Sequence, residues 1–339
     1  MTGDALTVEP LGDVGEARAE WAALAEAAGN PFVTPEWCQA WRTHIGADLR
    51  LHVFGGRRPD GTLGAIVPLV VTRGRYVRKA RFLGFGPSNE LGPIVAPDER
   101  DAGAAVLRDA LAVTRSEWDV FVGEYLPGGG WVGRVGATLV GRKADPVVRG
   151  PWESWDAYLA SRSSNFRQEL RRKERRLGER GLSFRDLTDA SELEGILDVL
   201  FDLHRARWGD DASRWFAGRE AFQRDFARVA FERGWLRLSL LELEGRTVAA
   251  YHGFRFGESE WSYQFGRDTA EEGSSIGLVM AAYAVRRSIE DGAAAFRLGP
   301  GDQPYKQRFA TADDGLETIG RARGLRGRAA LLAAKRRGV

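Results

Sequence analysis

The stretch FRLGPGDQPYKQRF, residues 296–309, holds the densest chemistry in the chain. An apolar run ends at Leu298, Gly299-Pro300-Gly301 breaks it, and Asp302, Tyr305 and Lys306 follow together. Gly299 and Gly301 permit close backbone approach, and Pro300 and Pro304 stiffen the turn. Asp302 is expected to cap a short helix QPYKQRF through its first free N–H groups. A lysine aimed from that element can neutralise a phosphate or carboxylate, or hold a developing oxyanion. Tyr305 can donate a proton. The plain alternative is a capped helix with a structural aromatic and a surface lysine.

Other candidates lie upstream. Ser274, Ser275, Ile276 and Gly277 open a helix expected over 274–292, so their N–H groups and one bare side chain form an anion site. His252, in AAYHGFRF, shares its strand parity with Ala250, Phe254 and Phe256. Tyr263 and Phe265 are expected on one face of the next strand, with Gln264 on the other. His252, or a water held by Tyr263 or Gln264, would serve as a base; a buried, hydrogen-bonded histidine is the rival reading. Arg207 and Trp208 end the helix carrying LHRARW and either clamp and stack on an acceptor or cap that helix. Neither a Ser-His-Asp nor a Cys-His arrangement emerges, which favours direct transfer without a covalent enzyme intermediate.

The elements that must position these groups fall into two halves. Strands are expected at 49–56, 57–71 and 80–86, then a helix over 98–114 and a strand over 118–126. The Pro- and Gly-rich stretch 143–155 is the expected boundary. Beyond it come a helix over 155–180, a strand at 182–188 and helices over 192–208 and 218–234. Three hairpin-linked strands spanning 235–268, the helix 274–292 and a strand at 294–299 complete the half. The order β-α-α-β-β-β-α-β, with antiparallel hairpins and then a crossover, is α+β. Neither GxGxxG nor a P-loop lies in a strand-to-helix context.

Composition narrows the class. The 339 residues are 43% hydrophobic and 28% charged, as in an ordinary globular protein of about two domains. No run reaches the length of a membrane span, and the acidic start MTGDALTVEPLGD is unlike a signal peptide. The lone Cys38, between two tryptophans in PEWCQAW, reads as a buried small hydrophobe, rules out an internal disulfide or a multi-cysteine metal site, and fits the cytoplasm. No metal site is expected.

Net charge is +2, but it is unevenly spread. Residues 73–81, 162–180 and 321–337 hold 20 of the 49 basic side chains and 3 of the 47 acidic ones, leaving 29 basic against 44 acidic elsewhere. Such strips suit a polyanionic partner. Within 162–180, Arg167, Arg171 and Arg175 form one helical row and Arg172, Arg176 and Arg180 another. Residues 321–337 read as a basic amphipathic helix or a frayed tail.

PFVTPEWCQAW, LHRARW, SSIGLVMAAYAVRRSIEDG and FRLGPGDQPYKQRF occur in the order found in CelD-type acyltransferases of the GNAT superfamily. These resemble the Fem-type aminoacyl transferases, with two GNAT domains in tandem, and the likeness spans roughly 15–320. It implies two GNAT-like domains, each a mixed sheet flanked by helices, at 1–148 and 149–324, with a basic tail at 325–339. The second domain would carry donor and chemistry, and the first would help form the acceptor cleft. The implied reaction is N-acyl transfer to an amine of a small molecule or of a cell-envelope or natural-product intermediate. No permanently bound cofactor is implied; the co-substrate would be acyl-CoA or acyl carrier protein. In the family the loop holding Lys306 sits at the splay between two strands, and coenzyme A rests its pyrophosphate on the turn before Gly277. Here Glu271 and Glu272 stand where a basic or amide residue is expected and would repel a diphosphate. That departure, with Arg167 and Arg171 as donor contacts, keeps aminoacyl-tRNA as an alternative donor. A non-catalytic RNA- or polyanion-binding module is the reading from another class.

Overall fold

The computed structural model describes residues 6–216 and 219–337, except for the side chains of residues 207–216, Glu272 and Arg337. The chain forms two units, Met1–Ala144 with Asp314–Val339, and Asp145–Asp313.

The first unit runs β1 (Thr7–Leu11), α1 (Arg18–Ala28), α2 (Pro35–His44), β2 (Arg50–Arg57), β3 (Leu63–Arg73) and β4 (Arg78–Phe82). It continues through α3 (Arg100–Val113), β5 (Val120–Pro127), α4 (Trp131–Val135) and β6 (Thr138–Lys143). Local chemistry sets these limits. Thr34 accepts from Trp37 N at 3.2 Å and Pro35 opens α2, so a capped turn starts that helix. Asp60 Oδ1 accepts from Thr62 N at 2.9 Å, and Gly61 takes φ 85°, which turns β2 into β3. Cys38 is buried beside Trp37, and burial pushes its thiol pKa upward, so it packs as a small hydrophobe.

The second unit holds β7 (Pro146–Arg149), α5 (Trp155–Ala160), α6 (Ser164–Gly178), β8 (Ser183–Asp186), α7 (Leu193–Phe216) and α8 (Glu220–Glu232). Strands β9 (Leu236–Leu243), β10 (Arg246–Phe256) and β11 (Ser259–Arg267) follow, then α9 (Ile276–Glu290), β12 (Ala295–Arg297), α10 (Pro304–Phe309) and β13 (Ala312–Asp313). The single helix expected over 155–180 is two. Tyr158 O accepts from Ser161 Oγ, and Ser163 then caps α6 by accepting from Phe166 N at 3.3 Å. Phe166, Leu170 and Leu177 form the buried stripe of α6, as their spacing requires.

Asp314 onward returns to the first unit with β14 (Leu316–Ala322) and α11 (Gly324–Arg337). Each unit has one seven-stranded mixed sheet, in the orders β1-β2-β3-β4-β5-β14-β6 and β13-β7-β12-β11-β10-β9-β8. The boundaries expected at 148 and 324 thus stand at 144 and 313. Hydrogen bonding decides both: β7 pairs with β12, and β14 pairs with β5 and β6. The basic stretch after 324 is a helix.

Candidate active site

Strands β11 and β12 run parallel over only three residues, Ser259–Trp261 opposite Ala295–Arg297. Beyond them β11 continues to Arg267, paired with β10, while β12 stops and the sheet opens. Leu298 ends the apolar run, and the chain turns through Gly299 at φ 79° and Gly301 at φ 116°. Both lie in the left-handed region, and a Cβ on Gly301 would sit 2.6 Å from Gln303 Oε1. Lys306 is buried here. Its Nζ donates to Gly299 O and Pro300 O, each at 2.9 Å, so the ammonium fastens the turn that ends β12.

Helix α10 is anchored from below. Phe309 meets Phe166 edge-on at 4.9 Å, Tyr158 Oη donates to Phe309 O at 2.7 Å, and Arg308 pairs with Glu169 at 2.6 Å. Asp302 is not its cap. The cap position falls one residue later, on Gln303, whose side chain makes no capping hydrogen bond, and Asp302 is exposed.

A cavity of about 300 Å³ opens where the strands part. Phe265, Gly266 and Arg267 of β11 form one wall, and Ser275, Gly277, Leu278, Met280 and Ala281 another. Tyr305 and Arg308 of α10 and Glu169 of α6 complete it. Of the pair singled out in the sequence, Tyr305 therefore faces the cavity, while Lys306 is turned onto the loop.

The entrance to α9 has an unusual cap. Ser275 adopts φ 66°, and its carbonyl receives the N–H groups of Leu278 at 3.0 Å and Val279 at 3.2 Å. The N–H groups of Ile276 and Gly277 precede these first helical bonds. Ile276 is buried in the core, whereas Gly277 lines the cavity, and a Cβ there would meet only Arg267 Cδ at 3.5 Å. Ser274 is turned away; its Oγ donates to Glu271 O at 2.6 Å.

Glu271 is not the loose carboxylate that the sequence suggested. Arg180 grips it with two hydrogen bonds of 2.9 Å and also reaches Glu244 at 2.8 Å. The Arg180 hydrogen bond, with help from Ser274, holds the Glu271 carboxyl down to about 2. Its charge is thus matched across 91 residues of sequence. The same contact takes Arg180 out of its expected phosphate-tracking row. Arg167 is also engaged, donating to Ala160 O at 3.1 Å and Arg162 O, which closes the end of α5. Arg171 remains exposed on the outer face of α6.

On the opposite face of the sheet, the ladder between β10 and β11 slips. His252 faces Gln264 and Gly253 faces Ser262, leaving Tyr263 as the extra residue of a bulge. Strict alternation therefore fails. Tyr263 lies 5.3 Å from His252 and 5.5 Å from Phe254, while Phe265 packs 5.0 Å from Tyr251 on the other face. Tyr263 and Phe265 do not share a face, because the bulge re-aims the tyrosine.

His252 is fully buried, and neither ring nitrogen has a hydrogen-bond partner among the described residues. Burial lowers its pKa to about 4, opposed by the Gln264 amide across the ladder. The ring is neutral at pH 7. Gln264 is buried with both amide atoms unpartnered among the described residues, and so is Gln223 on α8. Phe226 of α8 packs 5.1 Å from Phe254, and the charge of Arg219, seven residues earlier, reaches Tyr263. Gln223 lies between them on the helix. Sequence reasoning passed over Gln223, although a glutamine inside the apolar stripe Phe222, Phe226, Ala227 and Ala230 is a legible anomaly. The side chains of Arg207 and Trp208 lie outside the described residues.

Residues 164–307 match the acetyltransferase (GNAT) domain family. No curated protein matches by sequence. Among solved structures the chain resembles FemX, at 12% identity and a TM-score of 0.66, over 96% of this chain and 100% of that one. It also resembles the C-terminal domain of a putative lysylphosphatidylglycerol synthetase from Agrobacterium fabrum, at 12% identity and a TM-score of 0.60, over 95% of each chain. A tandem GNAT protein from the clavulanic acid biosynthesis pathway aligns at 12% identity and a TM-score of 0.53, over 94% of this chain and 99% of that one. At such identities these likenesses speak for the fold, and the matched domain speaks for the chemistry. Residues 164–307 are thus a GNAT acetyltransferase domain, which supports an acyltransferase, and the chain around it has a tandem GNAT-like fold.

Proposed function

We propose that the second unit transfers an acyl group from a thioester carrier with a phosphopantetheine arm, acyl-CoA or acyl carrier protein, directly to an amine. One observation carries this reading: the strands part where the N-terminus of α9 presents Gly277, and Arg180 has already neutralised the nearby Glu271. A carrier phosphate would rest on the Ile276 and Gly277 N–H groups. The arm would follow Leu278, Met280 and Ala281 toward the gap between β11 and β12. There the amine attacks the thioester carbonyl, the C–S bond breaks as the amide forms, the thiolate takes a proton from Tyr305, and the proton lost by the amine nitrogen returns to the tyrosine oxygen through water. Lys306 fixes the turn and lends its positive field to the developing oxyanion. His252 binds protons too weakly to be a strong base at pH 7 and, with Gln264 and Gln223, is better suited to holding polar groups of the acceptor.

Aminoacyl-tRNA is the second reading. It is favoured by the exposed Arg171, Arg172, Arg175 and Arg176 of α6, the helix that supplies Glu169 to the cavity. Thermal-shift titrations with coenzyme A, acetyl-CoA and bulk tRNA at two salt concentrations separate the two. A ligand at 100 times its Kd stabilises by about 2.7 kcal/mol, a shift of several degrees. A shift with coenzyme A supports the thioester donor. A salt-sensitive shift with tRNA alone supports the other, and substrate turnover that falls sharply in Tyr305→Phe separates either enzyme from a binding module.

A further inference from the structure

Two of the three basic strips, 240 residues apart in sequence, meet in the first unit. The turn between β3 and β4 closes through Gly74 N to Val77 O at 3.0 Å and projects Arg75 and Tyr76. Beside it lies α11, seated so closely that a Cβ on Gly327 would fall 2.0 Å from Asp119 O. Between turn and helix runs a groove of about 480 Å³, with Val77, Val122, Ala330, Ala333 and Ala334 in its walls and Arg75 and Lys79 at its edge.

Cations and apolar side chains are displayed here together. Arg78 is spent on Asp119 and Arg81 on Glu124. Arg73, Arg75 and Lys79 on the hairpin, and Arg328, Lys335 and Arg336 on the helix, make no ion pair among the described residues. Leu325 and Leu332 stand two turns apart on one stripe of α11, 85% and 61% exposed, with Arg328 and Lys335 alongside. Tyr76 is 70% exposed. These are three of the four large hydrophobic side chains that the described residues leave exposed.

We propose that this face docks on an anionic lipid bilayer. Cations alone would suit any polyanion, but exposed leucines find no partner on a phosphate backbone or on base edges. At a membrane interface they enter the headgroup–acyl boundary, a tyrosine sits at headgroup level, and each nearby cation adds attraction to anionic lipid. No helix among the described residues is long and apolar enough to cross a membrane, so the association is peripheral.

Co-sedimentation of the full chain with vesicles of phosphatidylcholine alone, or mixed with phosphatidylglycerol, tests this. The expected result is salt-sensitive binding to the mixed vesicles and little to the neutral ones. Leu325→Ser/Leu332→Ser, which leaves every charge in place, should weaken it at least tenfold, as should Arg328→Ala/Lys335→Ala/Arg336→Ala. Tyr76→Ser, on a separate element, should weaken it several-fold and serves as the reporter if the helix variants unfold. Failure to bind anionic vesicles overturns the proposal. So does full binding by the leucine and tyrosine variants, and so does charge-dependent tRNA binding in place of vesicle binding, which would assign the face to nucleic acid.

Discussion

Two buried groups on opposite faces of the second sheet should make stability respond to pH in opposite directions. His252 and Tyr251 are neighbours on β10 and point to opposite faces; Tyr251 Oη donates to Glu260 Oε1 at 2.8 Å, while Glu260 Oε2 has no partner among the described residues. Burial lowers His252 from 6.5 to about 4 and raises Glu260 from 4.5 to about 7, the latter opposed by the Tyr251 hydrogen bond. For His252 the unfolded chain takes up the proton first, so its contribution is lost as pH falls from about 6.5 towards 4. For Glu260 the folded state holds the proton, so its contribution is lost as pH rises from about 4.5 through 7. Between pH 7 and pH 5 the histidine costs about 2 kcal/mol and the glutamate returns about 2 kcal/mol. In the native protein the two nearly cancel. Urea unfolding of the native protein, His252→Gln and Glu260→Gln at both pH values separates them. Relative to the native protein, His252→Gln should gain about 2 kcal/mol on acidification and Glu260→Gln should lose about as much. Identical pH dependence in all three proteins would refute the reasoning, since at least one group would then be solvated.

Lys306→Met should destabilise the second unit by about 2–4 kcal/mol, because the Gly299 and Pro300 carbonyls lose a charged donor; urea unfolding checks this. Tyr305→Phe should lower kcat about 100-fold, with donor affinity unchanged by calorimetry and the loss smaller for thioesters with better leaving groups. Arg180→Met should weaken coenzyme A binding several-fold by freeing the charge of Glu271, and adding Glu271→Gln should restore it.

The tandem GNAT-like architecture was legible because local signals agreed along the chain. Pro35 after Thr34, Asp60-Gly61 and the stripe of α6 each act within a few residues. What escaped depends on partners distant in sequence. LETIG in β14 carries no local mark of which sheet it joins, and only its pairing with β5 and β6 assigns it to the first. The Arg180–Glu271 pair reverses the sign of an argument made from Glu271 alone. At Tyr263 the two-residue period breaks at a bulge, and no residue type in WSYQFG announces one. Tyr305 and Lys306 were legible as a pair, but their division between cavity and loop required the turn at Gly299.

The proposed donor site rests on the N-terminus of α9, and Gly277→Asp tests it with opposite effects on folding and binding. The new carboxylate has room, since a Cβ at Gly277 meets only Arg267 Cδ at 3.5 Å, and an acidic group in a first helical turn stabilises by about 0.3–1 kcal/mol. It also places a negative charge where the carrier phosphate is assigned. Calorimetric titration of coenzyme A into both proteins is the direct measurement. The expected result is binding to the native protein, a loss of tenfold or more in Gly277→Asp, and an unchanged or higher Tm. Equal affinities, or no binding to the native protein, would contradict a phosphate-bearing thioester donor at this helix.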